Sequence, residues 1–580
     1  MIEAGRAITQ ALATCHGDRL GLARAFCHRL ISAWWREFAT SAGECPPLRP
    51  MLVRLDAPRL DATVETLADD MGAAAALMDI ELAAYQIGSI YSALLPADHR
   101  ERLGVYYTPP ALTARLLDQA TEAGVDWTRC TALDPACGGG AFLAPVARRM
   151  LGARRHRDAG RRVADVATRI RGFEIDPFAA WLSQVALDTV VWQACGGALR
   201  ELPVLVTVCD SLRNPPEHSP FDLVIGNPPY GRVTLDAPDR ERFRRSLYGH
   251  ANLYGLFTDM ALRQCRPGGV IAFVTPTSFV AGKYFKNLRA LLDAEAPPAS
   301  IDFVSARKGV FADVLQETLL ATYRRGGRPA PASVHKVMPS NGGGLQIERV
   351  GTFTTLSVDA SQPWLLARTI AQATLVDRLR SMPHRLADWG YTVSTGPLVW
   401  NRHKSQMREA RGKHGLPIIW AEAVTRDGRF TWKAEKKNHK PYFEPNAGDE
   451  WLITRAPCVL LQRTTAKEQH RRLIATPLPA QFLKTHGAAV IENHINMIRP
   501  NCDDPAVSPD VLAAFLNSAA ADSVFRCLNG SVAVSAYELQ ALPLPDPGAM
   551  CALTSLVRVE ADRNAVDAAC AILYGINERD

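Results

Sequence analysis

The stretch with the most specific chemistry is IGNPPY, residues 225–230, which ends an apolar run. Asn227 offers a side-chain carbonyl oxygen, and the stiff Asn227-Pro228-Pro229 backbone holds its own carbonyls in fixed directions. Two such acceptors take both hydrogens of a planar amine, which frees the nitrogen lone pair to attack an electrophilic methyl group. Tyr230 supplies a ring on which a planar group can stack. The motif therefore predicts methyl transfer to a ring or amide nitrogen.

Three acidic residues at the ends of successive predicted strands are typical of a nucleoside-containing cofactor site. Asp134 in LDPACGGGAFL precedes three glycines, which allow a tight turn and close backbone approach before the next helix. Glu174 in GFEIDP is placed to accept from both ribose hydroxyls, and Ile175 to lie against an adenine face. Asp210 is placed to accept from the adenine amino group. Each acid alone is more often a helix cap or a solvated loop residue, but the three together favour the cofactor site.

These motifs lie on a segment, about 104–325, in which short apolar strands alternate with helical stretches such as 178–194. We expect strands at 130–134, 171–175, 204–208, 221–226, 269–274 and 301–305. Alternation of this kind predicts βαβ units, and hence an α/β fold with a doubly wound, mainly parallel sheet. Ligands of such sheets bind at the carboxyl ends of the strands, where the motifs lie.

Composition divides the chain into five predicted parts. Residues 1–100 are alanine-rich and helical in pattern, and 101–325 form the predicted catalytic domain. The low-complexity patches RRGGRPAPAS and SNGGG favour a connecting segment over 326–385. The more basic and aromatic residues 386–547 contain short β-like runs and predict a separate α+β domain, and 548–580 a C-terminal helix.

Basic residues are concentrated in residues 402–440, which we call the basic segment. It contains eleven basic and four acidic residues, so its net charge of +7 equals that of the whole chain. The basic residues are Arg402, Lys404, Arg408, Arg411, Lys413, Arg426, Arg429, Lys433, Lys436, Lys437 and Lys440; Trp400, Trp420, Phe430, Trp432, Tyr442 and Phe443 interleave with or flank them. This mixture suits phosphate contacts around a base-reading surface, which Arg463, Lys467, Arg471 and Arg472 could extend. The alternative is a solvated hairpin surface with its aromatics in the core.

The composition of the 580 residues narrows the class of protein. A hydrophobic fraction of 47% with 22% charged residues excludes wholesale disorder. No apolar run reaches the roughly 18–20 residues of a membrane helix, and the N-terminus has no secretory signal pattern, so we expect a cytoplasmic protein without a membrane partner. The 13 cysteines include no CxxC pair, which argues against a disulfide framework or a zinc ribbon; no metal is expected.

In their order along the chain, DPACGGGAF, GFEIDP, Asp210 and NPPY resemble the S-adenosylmethionine-dependent amino-methyltransferases. With GVYYTPP (104–110) upstream, the arrangement looks like the gamma class of N6-adenine DNA methyltransferases from type II restriction–modification systems. ANLYGLF (251–257) and RPGGVIAFVTPTSFV (266–280) are also similar to the family pattern. The resemblance is specific over about 100–325 and looser over 386–545. It implies a Rossmann-like catalytic domain followed by a target-recognition domain.

The resemblance also implies a role for each motif residue. The cofactor would be S-adenosyl-L-methionine, with its carboxylate bound by Thr108 and its methionine moiety surrounded by the loop of Asp134, Ala136 and Gly138. Glu174 would bind the ribose, and Ile175 and Asp210 the adenine. Asn227 would also lie beside the cofactor. Asn227 and Pro228 would accept from the target amine, with Pro229 and Tyr230 beside the extruded base. Phe311 in GVFADVLQET would cover the other face of that base, although it fits a core phenylalanine equally well.

The implied partner is double-stranded DNA, from which the target base is extruded at a cost of about a few kcal/mol. Asparagine before PPY favours adenine in this family. No PD…ExK constellation is found and HGAAVIENHINM (486–497) is too compact for a His-Asn-His nuclease, so we expect a separate cognate restriction endonuclease. Two alternatives stay open: the same chemistry on protein glutamine or ribosomal RNA, and a catalytically inactive DNA-binding specificity protein. The sequence determines neither the recognition site nor the oligomeric state.

Overall fold

The computed structural model describes residues 18–42, 47–51, 58–103, 107–154, 158–195, 201–304, 317–340, 344–355, 362–465, 471–528 and 533–576. The chain forms two compact units. The first consists of Met1–Pro276 and Asn287–Leu356, and the second of Thr277–Lys286 and Ser357–Asp580.

Helices form the N-terminal part of the first unit: Arg19–Ala42, Ala62–Ala76, Ile80–Leu94 and Ala97–Leu103. Two of them begin at aspartates whose side chains accept from backbone N–H groups of the first turn: Asp61 from Val64, and Asp79 from Glu81. Such caps satisfy donors that have no partner within the helix. The sequence therefore encodes where these helices start, as well as their apolar faces.

A nine-stranded sheet forms the centre of the first unit, in the order β11-β10-β8-β9-β7-β4-β1-β2-β3. Its strands are β1 (Ala132–Asp134), β2 (Ile170–Glu174), β3 (Val206–Val208), β4 (Phe221–Gly226), β7 (Cys265–Pro276), β8 (Pro298–Val304), β9 (Thr318–Arg324), β10 (Ala332–Pro339) and β11 (Leu345–Phe353); β5 (Arg232–Val233) and β6 (Ala251–Asn252) form a separate antiparallel pair. Strands β3, β2, β1, β4 and β7 pair in parallel, whereas β9 is antiparallel to both of its neighbours.

The helix Pro110–Glu122 precedes β1, and six further helices lie between strands of this sheet along the chain: Leu143–Ala153, Ala159–Arg169, Pro177–Ala194, Ala237–Arg242, Leu253–Gln264 and Lys286–Glu295. After β3 the chain returns to place β4 on the opposite side of β1, so the direction of strand order reverses between β1 and β4. Open α/β sheets bind ligands at such a switch point. The predicted α/β class with a mainly parallel, doubly wound sheet is confirmed.

Two boundaries differ from the sequence-based expectation. The segment 326–385 contains β10 and β11, which extend the sheet beyond β8: β10 pairs in parallel with β8 and antiparallel with β11. The flanking proline- and glycine-rich patches hid these strands. Residues 548–580 contain two helices rather than one, Cys551–Arg558 and Arg563–Leu573. The break is at Glu560, which has a φ of +51°, and Asp562 caps the second helix.

The second unit is α+β. Its four-stranded sheet has the order β12-β20-β17-β18, and its five-stranded sheet has the order β13-β15-β14-β19-β16. The strands are β12 (Tyr391–Thr395), β13 (Met407–Arg408), β14 (Leu416–Ile419), β15 (Tyr442–Phe443), β16 (Ile453–Thr454), β17 (Val459–Gln462), β18 (Ala475–Pro477), β19 (Ala489–Ile491) and β20 (Ile495–Pro500); further helices are Ser278–Ala281, Ala373–Arg380, Ala480–His486, Pro509–Leu516, Ala519–Leu528 and Ala536–Gln540.

Within the described ranges, no single helix has the length and apolarity to cross a membrane. Pro509–Leu516 and Ala519–Leu528 pass that test only as a pair, and they are bent by 70°.

Candidate active site

A cavity of about 230 Å³ opens in the first unit beside the carboxyl ends of β1, β2 and β4. The predicted residues that line it are Thr108, Asp134, Ala136, Gly138, Glu174, Ile175, Asp210, Asn227 and Pro229. Pro228 and Tyr230 are not part of this lining, and Phe311 lies outside the described residues. One cavity thus joins the predicted cofactor residues to the predicted catalytic asparagine.

The glycine-rich loop after β1 forms one wall of the cavity. Gly138 has a φ of +51°, and a Cβ there would meet no atom within 4 Å, so the backbone at this point faces open space. Asp134 is 1% exposed; its Oδ1 accepts from the backbone N of Ala136 at 3.1 Å. A Cβ at Gly226, which ends β4, would lie 2.6 Å from that same oxygen. Glycine at 226 therefore allows the ends of β1 and β4 to meet around this carboxylate.

Glu174, at the end of β2, is held by two backbone donors. Its Oε2 accepts from the N of Gly138 at 2.8 Å, and its Oε1 accepts from the N of Asp176 at 2.9 Å. Burial raises the pKa of Glu174 to about 7, against the opposing effect of these N–H groups. The carboxylate is thus fixed in direction but held in an environment that disfavours its charge.

Asp210 and Ile175 lie at the two neighbouring strand ends. The Oδ1 of Asp210 accepts from the backbone N of Leu212 at 3.0 Å and of Arg213 at 3.3 Å, so Asp210 also caps a turn. Ser211 ties this turn to the glycine-rich loop by donating to the carbonyl of Pro135 at 2.6 Å. Ile175 is 50% exposed, which leaves an apolar surface free for a planar ring.

Asn227 is oriented by two hydroxyl groups. Its Nδ2 donates to Thr108 Oγ1 at 3.1 Å, and its Oδ1 accepts from the Tyr230 hydroxyl at 2.8 Å. An amide oxygen can accept two hydrogen bonds, so one lone pair of Oδ1 is left for a substrate amine. Thr108 is 2% exposed and can still donate its own hydrogen into the cavity.

The sequence did not predict the apolar wall of the cavity. Val233, Leu235, Phe243, Leu253, Leu256 and Phe257 form it, and Tyr107 lines the cavity beside Thr108. The spacing of Leu253, Leu256 and Phe257 on one helix is a recognisable apolar stripe, but such a stripe more often packs into the core. The residues from 233 to 243 carry no comparable signal.

The basic segment lies in the second unit and is largely solvent-exposed. Nine of its eleven basic residues are exposed, and Lys433 and Lys440 are partly buried. Its aromatics are divided: Trp420 and Phe443 are fully buried, whereas the other four are partly exposed. The predicted extension through Arg472 is wrong, because that residue is 2% exposed. Lys467, which belongs to the same prediction, lies outside the described residues.

The lining of the cavity fits S-adenosyl-L-methionine. Asp134 Oδ2 is buried and accepts no hydrogen bond from the described residues, so it can receive one from an amino group. Glu174 offers a fixed acceptor for ribose hydroxyls, and the apolar wall suits an adenine ring. In the described chain, no group of three or more His, Cys, Asp and Glu side chains is arranged to hold a metal ion.

The sheet, with this cavity at its switch point, has the Rossmann-like fold of the S-adenosylmethionine-dependent methyltransferases. A solved structure of the type IIL restriction-modification enzyme MmeI in complex with DNA has the same fold, with a TM-score of 0.56 and 12% identity over 100% of this chain and 96% of that one.

Sequence comparisons narrow the class. Residues 206–311 match the family described as Eco57I restriction-modification methylase. Type II methyltransferase M.BsuBI of Bacillus subtilis is 25% identical over 63% of this chain and 71% of its own length. Type II methyltransferase M.PstI of Providencia stuartii is 28% identical over 56% of this chain and 65% of its own length. The predicted resemblance to type II methyltransferases is confirmed, and the lining of the cavity fits the expected cofactor, S-adenosyl-L-methionine.

Proposed function

We propose that this protein is a sequence-specific DNA methyltransferase that transfers a methyl group to N6 of adenine in double-stranded DNA. The observation that carries the proposal is the position of Asn227: it lines the same cavity as Glu174 and Asp210, with its amide oriented by two hydroxyl groups. The similarity to type II methyltransferases supports a DNA substrate.

When bound, the cofactor supplies an electrophilic methyl group on a positively charged sulfur. Asn227 Oδ1 and the Pro228 carbonyl accept the two hydrogens of the target amine, which moves the nitrogen lone pair out of conjugation with the ring. Thr108 keeps the amide nitrogen of Asn227 turned away from the substrate. Tyr230 lies three residues further on and its hydroxyl contacts Asn227, so its ring would stack on a base whose amine reaches Asn227. The residues at the transfer site would thus orient the amine for attack: the nitrogen–methyl bond forms as the sulfur–methyl bond breaks, and the electron pair of that bond goes to the sulfur. The surplus proton of the methylated nitrogen is then lost to water, so the transfer itself needs no general base.

The DNA around the target base must bind elsewhere, because a base inside a duplex cannot reach a buried cavity. We propose that the exposed arginines and lysines of the basic segment contact the phosphates. The partly exposed rings of Trp400, Phe430, Trp432 and Tyr442 would lie beside these contacts.

The test is transfer of an isotope-labelled methyl group from S-adenosylmethionine to duplex DNA, with ribosomal RNA and a glutamine-containing protein as competing acceptors. We expect labelled DNA with the wild type and a loss of at least about a hundredfold with Asn227→Ala. Thr108→Ser keeps the hydroxyl acceptor and serves as the matched control. Labelling of RNA or protein instead of DNA, or an Asn227→Ala variant as active as the wild type, would refute the proposal.

We further propose that this methylation protects host DNA from a separate cognate restriction endonuclease. DNA from cells that express the active protein should then resist an endonuclease that cuts DNA from cells expressing Asn227→Ala. The position of the methylated adenine is first mapped, and endonucleases that recognise the surrounding sequence are then tested on both DNAs. If all of them cut the two DNAs equally well, this role is contradicted.

A further inference from the structure

The N-terminal helices reach the cofactor site through Asp176, a side chain that is 2% exposed. Its Oδ1 accepts from the backbone N of Phe178 at 3.1 Å and so caps the helix after β2. Two side chains of the N-terminal helices donate to the same carboxylate: Arg24 Nη2 to Oδ1 at 3.0 Å, and the Tyr91 hydroxyl to Oδ2 at 2.6 Å. A part of the chain whose sequence shows no catalytic motif therefore holds a residue next to the site.

Asp176 connects this contact to Glu174. The backbone N of Asp176 donates to Glu174 Oε1 at 2.9 Å, and Glu174 Oε2 accepts from the N of Gly138 at 2.8 Å. The hydrogen bonds thus run without a break from Tyr91 and Arg24, through Asp176 and Glu174, to the glycine-rich loop. A shift of Asp176 would move one of the two donors that fix the Glu174 carboxylate.

A second contact, made by Tyr107, joins the N-terminal helices to the glycine-rich loop. Its ring lies between Gly88, in the helix Ile80–Leu94, and Gly139: a Cβ would lie 2.2 Å from the ring at Gly88 and 2.5 Å from it at Gly139. Burial raises the pKa of Tyr107 well above its ordinary value. Since Tyr107 also lines the cavity, the ring determines how closely the glycine-rich loop approaches the helix.

Apolar packing keeps these parts together. The N-terminal helices share one hydrophobic cluster with the helix Pro177–Ala194, including Phe26, Trp34 and Trp181. The rings of Tyr91 and Phe178 have centroids 4.7 Å apart. Packing therefore holds the fully buried Tyr91 against the helix that Asp176 caps, and the partly buried Arg24 lies on a helix of the same cluster.

We propose that Tyr91 and Arg24 are positioning residues of the cofactor site, which hold Asp176 so that Glu174 is aimed at the ribose of the cofactor. The N-terminal helical region is then part of the binding site rather than a separate appendage. The inference rests on the proposed function only in that the ligand of the cavity is S-adenosylmethionine.

The test is calorimetric binding of S-adenosylmethionine to the full-length protein, together with steady-state methyl transfer. For Tyr91→Phe, which keeps the ring but removes the donor, we expect the Kd and the KM for S-adenosylmethionine to rise roughly three- to tenfold, equivalent to about 0.7–1.4 kcal/mol. The KM for DNA and the kcat at saturating cofactor should stay within about twofold. Arg24→Ala should behave in the same way, and Arg24→Lys should recover part of the affinity.

Arg29→Ala is the matched control, because Arg29 lies on the same helix as Arg24 but pairs with Asp69, at 2.6 Å, within the N-terminal region. Its cofactor affinity should equal that of the wild type. A purely structural role of Tyr91 predicts a lower Tm and a smaller active fraction with an unchanged KM for the cofactor, and this result would overturn the inference. Absence of cofactor binding by the wild type would overturn the proposed function itself. If Arg24→Ala fails to fold, Tyr91→Phe alone decides.

Discussion

The raised pKa of Glu174 predicts that cofactor affinity depends on pH. Ribose hydroxyls donate to the ionised carboxylate, whereas burial raises the pKa of Glu174 to about 7 in the cofactor-free protein. Below pH 7 a proton must leave before the cofactor can bind. For a single group with this pKa, affinity at pH 6 is roughly tenfold lower than at pH 8, which is about 1.4 kcal/mol.

The raised pKa of Glu174 also predicts how the stability of the cofactor-free protein changes with pH. A carboxyl group whose pKa is raised on folding stabilises the fold below its unfolded pKa, and that contribution is lost as the pH rises through about 7. The cofactor-free protein should therefore lose on the order of 3 kcal/mol of stability from this group between pH 4.5 and 8. Binding of the cofactor supplies donors to the charged carboxylate, so it should raise the Tm more at pH 8 than at pH 6.

The assay is calorimetric titration with S-adenosylmethionine at several pH values between 5.5 and 8.5. Glu174→Gln should bind more weakly at pH 8 and lose the pH dependence below 7. Asp69→Asn should retain it, because Asp69 does not line the cavity and pairs with Arg29 and Arg36. A wild-type affinity that is constant between pH 6 and 8, or a Glu174→Gln variant with the same pH profile as the wild type, would refute the role assigned to Glu174.

Three further experiments test the close packing around the cavity and the DNA contacts of the basic segment. Gly226→Ala places a Cβ 2.6 Å from a buried carboxylate oxygen, a clash that costs about 1–3 kcal/mol, so kcat/KM should fall about tenfold or more; wild-type kinetics would contradict this. Gly88→Ala should weaken cofactor binding because its Cβ would lie 2.2 Å from the Tyr107 ring, even though alanine favours the helix by roughly 1 kcal/mol. Gly152→Ala is the control, since no atom lies within 4 Å of its Cβ. Equal cofactor Kd values for the two variants would contradict this prediction. Removing the charges of Lys436 and Lys437 should reduce the slope of log Kobs for DNA against log salt by about 1.8, and an unchanged slope would exclude them from phosphate contact.

The sequence predicted the strands that carry the motifs better than the remainder of the sheet. The run 221–226 is β4 with the same bounds, because its apolar residues end abruptly at Asn227. Strands β8 to β11 occupy one side of the sheet in an order that does not follow the chain. Local sequence patterns do not determine that order, since it depends on contacts between strands that are distant along the chain.

The residues of the candidate site likewise fall into those that the sequence could predict and those that it could not. Residues such as Asp134 and Glu174 could be placed from sequence, because parallel strands bring their carboxyl ends to one edge. The apolar wall could not be predicted from sequence, since residues such as Phe243 have the pattern of ordinary core residues. The contact of Tyr91 with Asp176 joins residues 85 positions apart and depends on how the helices dock. Phe311 and its predicted place over the base stay a prediction, outside the described residues.

The most direct test of the account is nucleoside mass spectrometry of duplex DNA after incubation with the protein and S-adenosylmethionine that carries a deuterated methyl group. The account predicts deuterated N6-methyldeoxyadenosine, formed at one sequence context and lost with Asn227→Ala. Label on deoxycytidine, or unlabelled DNA in the presence of a folded protein that binds the cofactor, would contradict it.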